Sequence, residues 1–518
     1  MKDIDPRIAE ALARLPEYLG NHVLLSVSAL ALGLAISLPL GILAARSTAL
    51  RWPLLAFASL IQTIPGLALL ALFYPILLGI SGLTSMLFGA SFSAFGFLPS
   101  LLALTLYSML PVLRNTIAGL SGIDGAVSEA ANGVGMMRRQ ALFMVELPLA
   151  LPVIMAGIRT AAVWVIGTAT LSTPIGQTSL GNYIFTGLQT QNWVFVLFGC
   201  VAAAVLALIV DQLLALIESG LKARKRNRIL AGAAGIALVV FAALVPGFVR
   251  NGSGYVVGAK TFTEQFILAA LIENRLRENG LPASRRDGLG SIVAYDALLS
   301  EEIGVYVDYS GTIWATQMRR TDVRPREEVL REIRKWLEPQ GVLLAGTLGF
   351  DNSYALAMKR TRAAELNIKT IADLARHAPQ LSIAADYEFL VRPEWTALRN
   401  AYGLQFRTQR QMQSTFMYEA VATGEADVIS AFSSDGRIAQ YDLVVLSDPK
   451  NSLPPYDAIL LVSPKHASDE KMLSALKPLL GMISVEKMRE ASLLADRAEN
   501  KQTPEGAARW LWQQIEKK

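Results

Sequence analysis

The sequence predicts an all-α, polytopic membrane domain of about six transmembrane helices, followed by an α/β domain made of two lobes. Three observations carry that expectation. The chain has 518 residues, more than one hydrophobic core supports. Up to about Val249 it is dominated by Leu, Ala, Ile, Val and Gly, whereas beyond that point charges return at the density of water-exposed proteins. The chain-wide averages of 52% hydrophobic and 18% charged residues therefore describe neither part. From Tyr255 onward short strands and helices alternate to the C-terminus, which suits two sheet-based lobes rather than one.

Runs of about 20 apolar residues mark the spans. They fall at Val23–Ala45, Leu54–Ile80, Phe97–Leu113, Val153–Leu171, Phe195–Ile217 and Ile229–Val249. Pro and Gly inside them are tolerated because neighbouring helices re-satisfy the backbone. Basic residues follow the first span (Arg46, Arg51), the third (Arg138, Arg139) and the fifth (Lys222 to Arg228), whereas the loops Ser81–Gly96 and Ser172–Asn192 carry no charge. The positive-inside rule puts the basic loops in the cytoplasm, the N-terminus outside and everything after Val249 outside. Residues Met1 to Tyr18 read as lacking a cleavable signal. Arg159 and Asp211 lie in or beside apolar spans, where charges are costly; pairing inside the bundle or snorkelling to the cytoplasmic face is the expectation.

The formal charge of +5 is modest for this length. Its densest source, Lys222 to Arg228, reads as a juxtamembrane loop rather than a nucleic-acid site. Cys200 is the single cysteine, so neither a disulfide framework nor a thiolate metal site is predicted. His22, His377 and His466 show no ligand spacing. No catalytic constellation, cofactor or metal is predicted, and no phosphate-cradling Gly-x-x-x-x-Gly-Lys loop occurs. Gly252 to Gly258 has the wrong spacing for a dinucleotide turn and reads as a linker opening into a strand.

The loop between the third and fourth spans holds Glu129, Ala130 and Ala131, then Gly135, then Val145, Glu146, Leu147 and Pro148. Small residues let a short helix dock closely on another protein, Glu129 is expected in its first turn, and Gly135 then bends the chain. The spacing resembles the EAA coupling loop of ABC importer permeases (type I fold), with Val145 in place of Ile. Gln62 to Leu70 and Leu180 to Ile184 resemble segments of the osmoprotectant (glycine betaine/carnitine/choline) branch. The resemblance implies a cytoplasmic ABC ATPase dimer as partner and a homodimer of this chain in the bilayer.

Beyond Tyr255, residues 255–259 read as a strand. Thr261 and Glu264 suit a capping box for a helix ending at Gly280, Ser291–Glu301 reads as a helix and Val305–Val307 as a strand. Six ordered segments then carry a second resemblance: Gly258 to Gln265, Val307 to Thr312, Gly349 to Leu356, Glu388 to Arg392, Ala431 to Arg437 and Pro454 to Asp457. They are similar to the periplasmic-binding-protein-like (type II) receptors for glycine betaine, choline and carnitine. That family implies two hinge crossings, near Gly346–Asn352 and Ser430–Asp435, and an aromatic cage of Tyr309, Tyr354, Phe432 and Tyr456. A quaternary ammonium donates no hydrogen bond, so π-faces must recognise it, each contributing about 0.5–2 kcal/mol. Gln265, Ser291, Thr312 and Ser433 are the expected neutral anchors, Arg392 the carboxylate partner, and Asp386 or Glu388 the counter-charge. Phe432 stands where many relatives have Tyr, which keeps the face and loses a hydroxyl, so ergothioneine, carried by similarly fused permease–receptor proteins, joins the ligand classes.

The expected domains are residues 1–228 (permease with coupling loop), 229–254 (sixth transmembrane helix and linker) and 255–518 (extracytoplasmic two-lobed receptor). The resulting reading is the permease plus substrate-binding subunit of an ATP-driven importer for betaine-type solutes in a bacterial inner membrane. A ligand-gated channel or sensor is the alternative, and it would need no coupling helix.

Overall fold

The structure, a computed structural model, describes the chain except residues 1–4, 89–91, 93, 95, 191, 251–253, 321, 323, 388, 498–499 and 517–518. The chain divides into two compact units, one holding the long apolar helices and the other the α/β part. Among the described residues of the first, six helices are long and apolar enough to cross a membrane: Arg7–Arg46, Gly66–Phe88, Phe97–Ser121, Arg138–Ile175, Trp193–Lys222 and Arg226–Val245.

The second expected span is not one helix. A helix Thr48–Thr63 ends at Ile64, which is extended (φ −73°, ψ 127°), and Gly66–Phe88 begins anew. Pro65 explains the break: its ring disfavours the helical region for the residue before it and it lacks an N–H. The Tyr107 hydroxyl donates to the freed Ile64 carbonyl, and Gln62 Nε2 donates to Tyr107 O at 3.3 Å, so the interruption is satisfied from a neighbouring helix.

Close packing relies on small residues. A Cβ at Gly157 would lie 2.7 Å from Pro111 O and 2.6 Å from Asn115 Cβ, so the helices Phe97–Ser121 and Leu147–Ala169 approach as no larger residue would allow. Of the two expectations for Arg159 and Asp211, the structure shows pairing: Arg159 grips Asp211 with two bonds (3.0 and 2.9 Å) and also reaches Glu218, which the sequence reading did not name, at 2.9 Å. Lys222 joins the same Glu218 at 2.7 Å.

The segment expected to couple opens as a helix, Gly125–Gly133, capped by Asp124, whose side chain accepts from Ala126 N at 3.0 Å. Glu129 therefore sits in mid-helix rather than in the first turn, and Asp124 meets the helix dipole instead. Gly135 takes φ +77°, the left-handed turn that redirects the chain as expected. A single π-turn, Leu142–Glu146, leads into Leu147–Ala169, with Pro148 at the start of that helix where its missing N–H matters least. Glu146 is tied to Arg46 at 2.7 Å.

The second unit contains two five-stranded sheets. The first has the order β2-β1-β3-β10-β4, from Ala283–Leu289, Tyr255–Lys260, Val305–Tyr309, Asp457–Val462 and Leu343–Asp351. The second has the order β7-β6-β8-β5-β9, from Thr408–Gln411, Ser382–Ala385, Val428–Phe432, Tyr354–Lys359 and Leu443–Val445. The two share one plan. In each, a central strand pairs in parallel on both sides (β1 with β2 and β3; β6 with β7 and β8), and one strand from elsewhere in sequence is inserted antiparallel (β10; β5).

The chain crosses from the first sheet to the second at residues 352–353, at the end of the expected segment. The return crossing is not at Ser430–Asp435: β9 brings the chain back to the second sheet, and the crossing lies in residues 446–456. Residues 433–437 do touch the first lobe, where Arg489 Nε donates to Ser433 O at 2.7 Å, but they do not leave the second. The expected capping box is also absent. Phe262 is the N-cap residue of Thr263–Glu278, Thr263 Oγ1 donates to Asp496 at 2.7 Å, and Glu264 turns into the interior.

Candidate binding site

The four expected cage rings come together because strand ends bring them there. Tyr309 ends β3, Tyr456 immediately precedes β10, and β10 runs antiparallel to β3 with Ala458 opposite Tyr309. In the other lobe Tyr354 opens β5 and Phe432 ends β8, directly opposite each other in the register. Their centroids lie 4.7 Å apart, and Tyr354 meets Tyr456 edge-on at 5.6 Å and 87°.

Between the lobes lies a cavity of about 160 Å³. All four rings line it, with Ser291, Thr312, Asp386 and Arg392. Gln265 and Ser433 do not. Gln265 is buried behind the wall, where its Nε2 donates to the Tyr309 hydroxyl at 2.9 Å. Ser433 joins the two lobes at the first crossing: its N donates to Ser353 O at 2.9 Å and its Oγ accepts from Ser353 N at 3.0 Å. Glu388 lies outside the described residues. Asp386 Oδ1 accepts from Phe389 N at 2.9 Å, and Ser430 Oγ donates to its Oδ2 at 3.2 Å.

Sequence reasoning missed further wall residues. Phe262 stacks on Phe432 at 5.7 Å and 10°, and on Tyr309 at 6.1 Å and 28°. Lys260, Asn352, Tyr387 and Gln413 complete the lining with Thr261. Lys260, Phe262 and Asn352 stand inside motifs already singled out, so the signal was present and unread. Gln413 lies in no such motif.

The cations at the wall are neutralised locally. Lys260 Nζ is 2.5 Å from Asp308 and 5.3 Å from the Tyr309 centroid. Arg392 grips Glu394 at 3.1 and 3.2 Å and stacks its guanidinium 5.3 Å from the Tyr354 centroid. Behind the rings, the Tyr456 hydroxyl donates to Glu394, and the Tyr309 hydroxyl donates to Glu264 at 2.5 Å. Asn352 Nδ2 (3.0 Å) and Ser434 Oγ (2.5 Å) also donate to Glu264. Burial pushes the Glu264 carboxyl up to about 7, against the downward pull of its hydrogen bonds. Burial first, and then the adjacent carboxylates, hold the Tyr309 and Tyr456 phenols well above their ordinary range, so both remain neutral donors.

On the helical unit, the segment around Glu129 to Pro148 presents apolar side chains outward: Val134 is 73% exposed, Met137 67%, Phe143 65% and Met144 65%. Glu129, Ala130 and Gly135 are exposed beside them, Ala131 is buried, Leu147 is half-buried and Pro148 is exposed.

Comparison with known proteins adds the following. Residues 254–514 match the substrate-binding domain of ABC-type glycine betaine transport systems, and residues 37–223 match the binding-protein-dependent transport system inner membrane component. The chain is similar to the glycine betaine/carnitine/choline transport system permease protein OpuCB of Bacillus subtilis (strain 168), at 39% identity over 199 residues, 38% of this chain and 84% of that one. It is also similar to the ergothioneine transport permease/ergothioneine binding protein EgtU of Helicobacter pylori (strain G27), at 28% identity over 440 residues, 82% of this chain and 76% of that one. Among solved structures, a glycine betaine/carnitine/choline ABC transporter covers 51% of this chain and 98% of its own at 24% identity and a TM-score of 0.45.

Proposed function

Because the chain belongs to the binding-protein-dependent ABC permeases, joined to a substrate-binding domain of the glycine betaine family, we propose that it is the permease and receptor of an ATP-driven importer for a quaternary-ammonium solute of betaine type. The observation that carries the ligand class is the cavity walled by Tyr309, Tyr354, Phe432 and Tyr456 from both lobes, with Phe262 as a fifth ring. A trimethylammonium group gains from such faces what it cannot gain from hydrogen bonds, about 0.5–2 kcal/mol for each. A ligand carboxylate would reach Lys260 or Arg392, whose charges are already balanced by Asp308 and Glu394, so a net-neutral zwitterion suits the site. Ser291, Thr312, Asn352 and Gln413 offer neutral hydrogen bonds to the remainder.

Lobe closure would trap the ligand on the extracytoplasmic side of a bacterial inner membrane. A separate ATPase dimer would dock on Glu129 to Gly135 and the exposed Val134, Met137, Phe143 and Met144. A homodimer would complete the pathway. The fused relative's transport of ergothioneine makes that compound one of the probes, with glycine betaine, choline, carnitine and proline betaine. Purified full-length chain should show a raised unfolding temperature with at least one of them, and reconstitution with the partner ATPase should give ATP hydrolysis stimulated by the same compound. No shift with any of the five would remove the ligand class; ligand-independent ATP hydrolysis would remove the coupling.

A further inference from the structure

Two of the three cage phenols are wired to buried carboxylates that the cavity does not contain. Tyr309 donates its O–H to Glu264 and Tyr456 donates to Glu394. These acids are 5% and 2% exposed, and neither lines the wall, so a bound molecule would not touch them. Each lies on the side of the phenol oxygen, beyond the ring.

The electronic consequence follows from the O–H···carboxylate contact. A phenol that donates to an anion carries more electron density in its ring than one that donates to water, and a cation over the ring is attracted by that density. The two acids are not equivalent. The hydrogen bonds to Glu264 come from Tyr309, Asn352 and Ser434, all neutral. Glu394 divides its charge with the Arg392 guanidinium, which grips both of its oxygens.

We propose that Glu264, and to a smaller degree Glu394, are specificity-determining residues that act through Tyr309 and Tyr456: they set the preference of the cavity for a permanent cation by enriching the faces it rests on. The counter-charge of the site is thus placed behind the rings rather than at Asp386 alone. This rests on the reading of the cavity as a quaternary-ammonium site.

Two double-mutant cycles test it in the full-length chain at pH 8, above the point near 7 to which burial pushes Glu264. Titration calorimetry with glycine betaine, choline and ergothioneine would compare Glu264→Gln, Tyr309→Phe and the double variant, and likewise Glu394→Gln, Tyr456→Phe and their double. Glu264→Gln is expected to weaken the bound probe by about threefold to tenfold, and adding it to Tyr309→Phe by little more, because the hydroxyl is the route. The Glu394 cycle should show the same non-additivity at about half the logarithmic size. Effects that multiply in the Glu264 cycle would overturn the proposal, since a carboxylate that only props up Asn352 and Ser434 matters equally with or without the Tyr309 hydroxyl. If thermal unfolding shows Glu264→Gln misfolded, the Glu394 cycle decides by the same criterion. If wild-type protein binds none of the three, the cycles are run with carnitine or proline betaine, and binding of none of the five would overturn the functional reading, and this inference with it.

Discussion

The two units bury different things, and the difference follows from their solvents. In the α/β unit Leu, Val, Ile and Met fill continuous cores beneath both sheets, and few large apolar side chains are exposed. In the helical unit Trp52, Phe88, Trp193, Leu197 and Phe241 are more than half exposed, and Arg226–Val245 is largely exposed whereas most of Phe97–Ser121 is buried. Lipid makes exposure of Leu cheap, so the helical unit is specified by close approach at Gly and by the Arg159–Asp211–Glu218 pairing rather than by hydrophobic burial. The α/β unit is specified by removal of apolar surface from water, and it can then place aromatic rings at a cleft.

That contrast can be broken at its packing end first. Gly157→Leu should abolish assembly of the helical unit, seen as loss of a monodisperse peak on size-exclusion, because the added side chain meets Pro111 O and Asn115 at less than contact distance. A well-behaved variant would mean that close packing is not what holds these helices.

Next, Gly135→Asp should abolish uptake in proteoliposomes while leaving ligand affinity unchanged. A Cβ at φ +77° is strained by up to about 1–2 kcal/mol, and the substitution also puts a carboxylate on the exposed segment. Normal transport would detach the exposed segment from coupling.

Third, Tyr354→Ala should weaken the bound solute by about tenfold or more, with the unfolding temperature lowered only modestly. Unchanged affinity in calorimetry would reject the cage.

The smallest effect concerns pH. The folded state holds Glu264 near 7 and Asp496 near 6, above ordinary carboxyl values, because burial disfavours their charged forms. A carboxyl raised by folding keeps its proton in the native state while the unfolded chain has lost it, so the stabilisation is complete below about pH 4 and fades as pH rises through 6 and 7. Unfolding temperatures of the α/β unit should therefore fall between pH 5 and 8, and Glu264→Gln should flatten part of that slope. An unchanged slope would mean that Glu264 titrates normally.

How much was legible depends on how local the signal was. Spans, basic loops and the Glu129 to Pro148 spacing are properties of short stretches, and the structure places them with one substantial correction, the break at Pro65. That correction was itself readable, since a proline following Ile64 forbids the helix there; the apolar run hid it. The ring set was legible because the strands that carry the rings begin or end at the quoted motifs. The capping-box reading of Thr261 and Glu264 failed because a tertiary demand outweighed a local one: Glu264 receives Tyr309, Asn352 and Ser434 instead of its own helix N-terminus. Gln265 and Ser433, expected as anchors, stand outside the cavity wall, since the direction of a side chain from a helix or strand end depends on what packs behind it.

The sequence by itself determined that the chain has a membrane part and a two-sheet part, and that aromatic side chains recur at strand ends in the second, because hydropathy and alternation are written residue by residue. Only the tertiary structure decided which acid stands behind which phenol and where the second crossing runs. Glu264 and Tyr309 are 45 residues apart and Glu394 and Tyr456 are 62 apart. No local pattern links such pairs: Glu264 meets Tyr309 because β3, which Tyr309 ends, pairs beside β1, whose following helix carries Glu264, and Glu394 meets Tyr456 because a helix of the second lobe faces the start of β10 in the first.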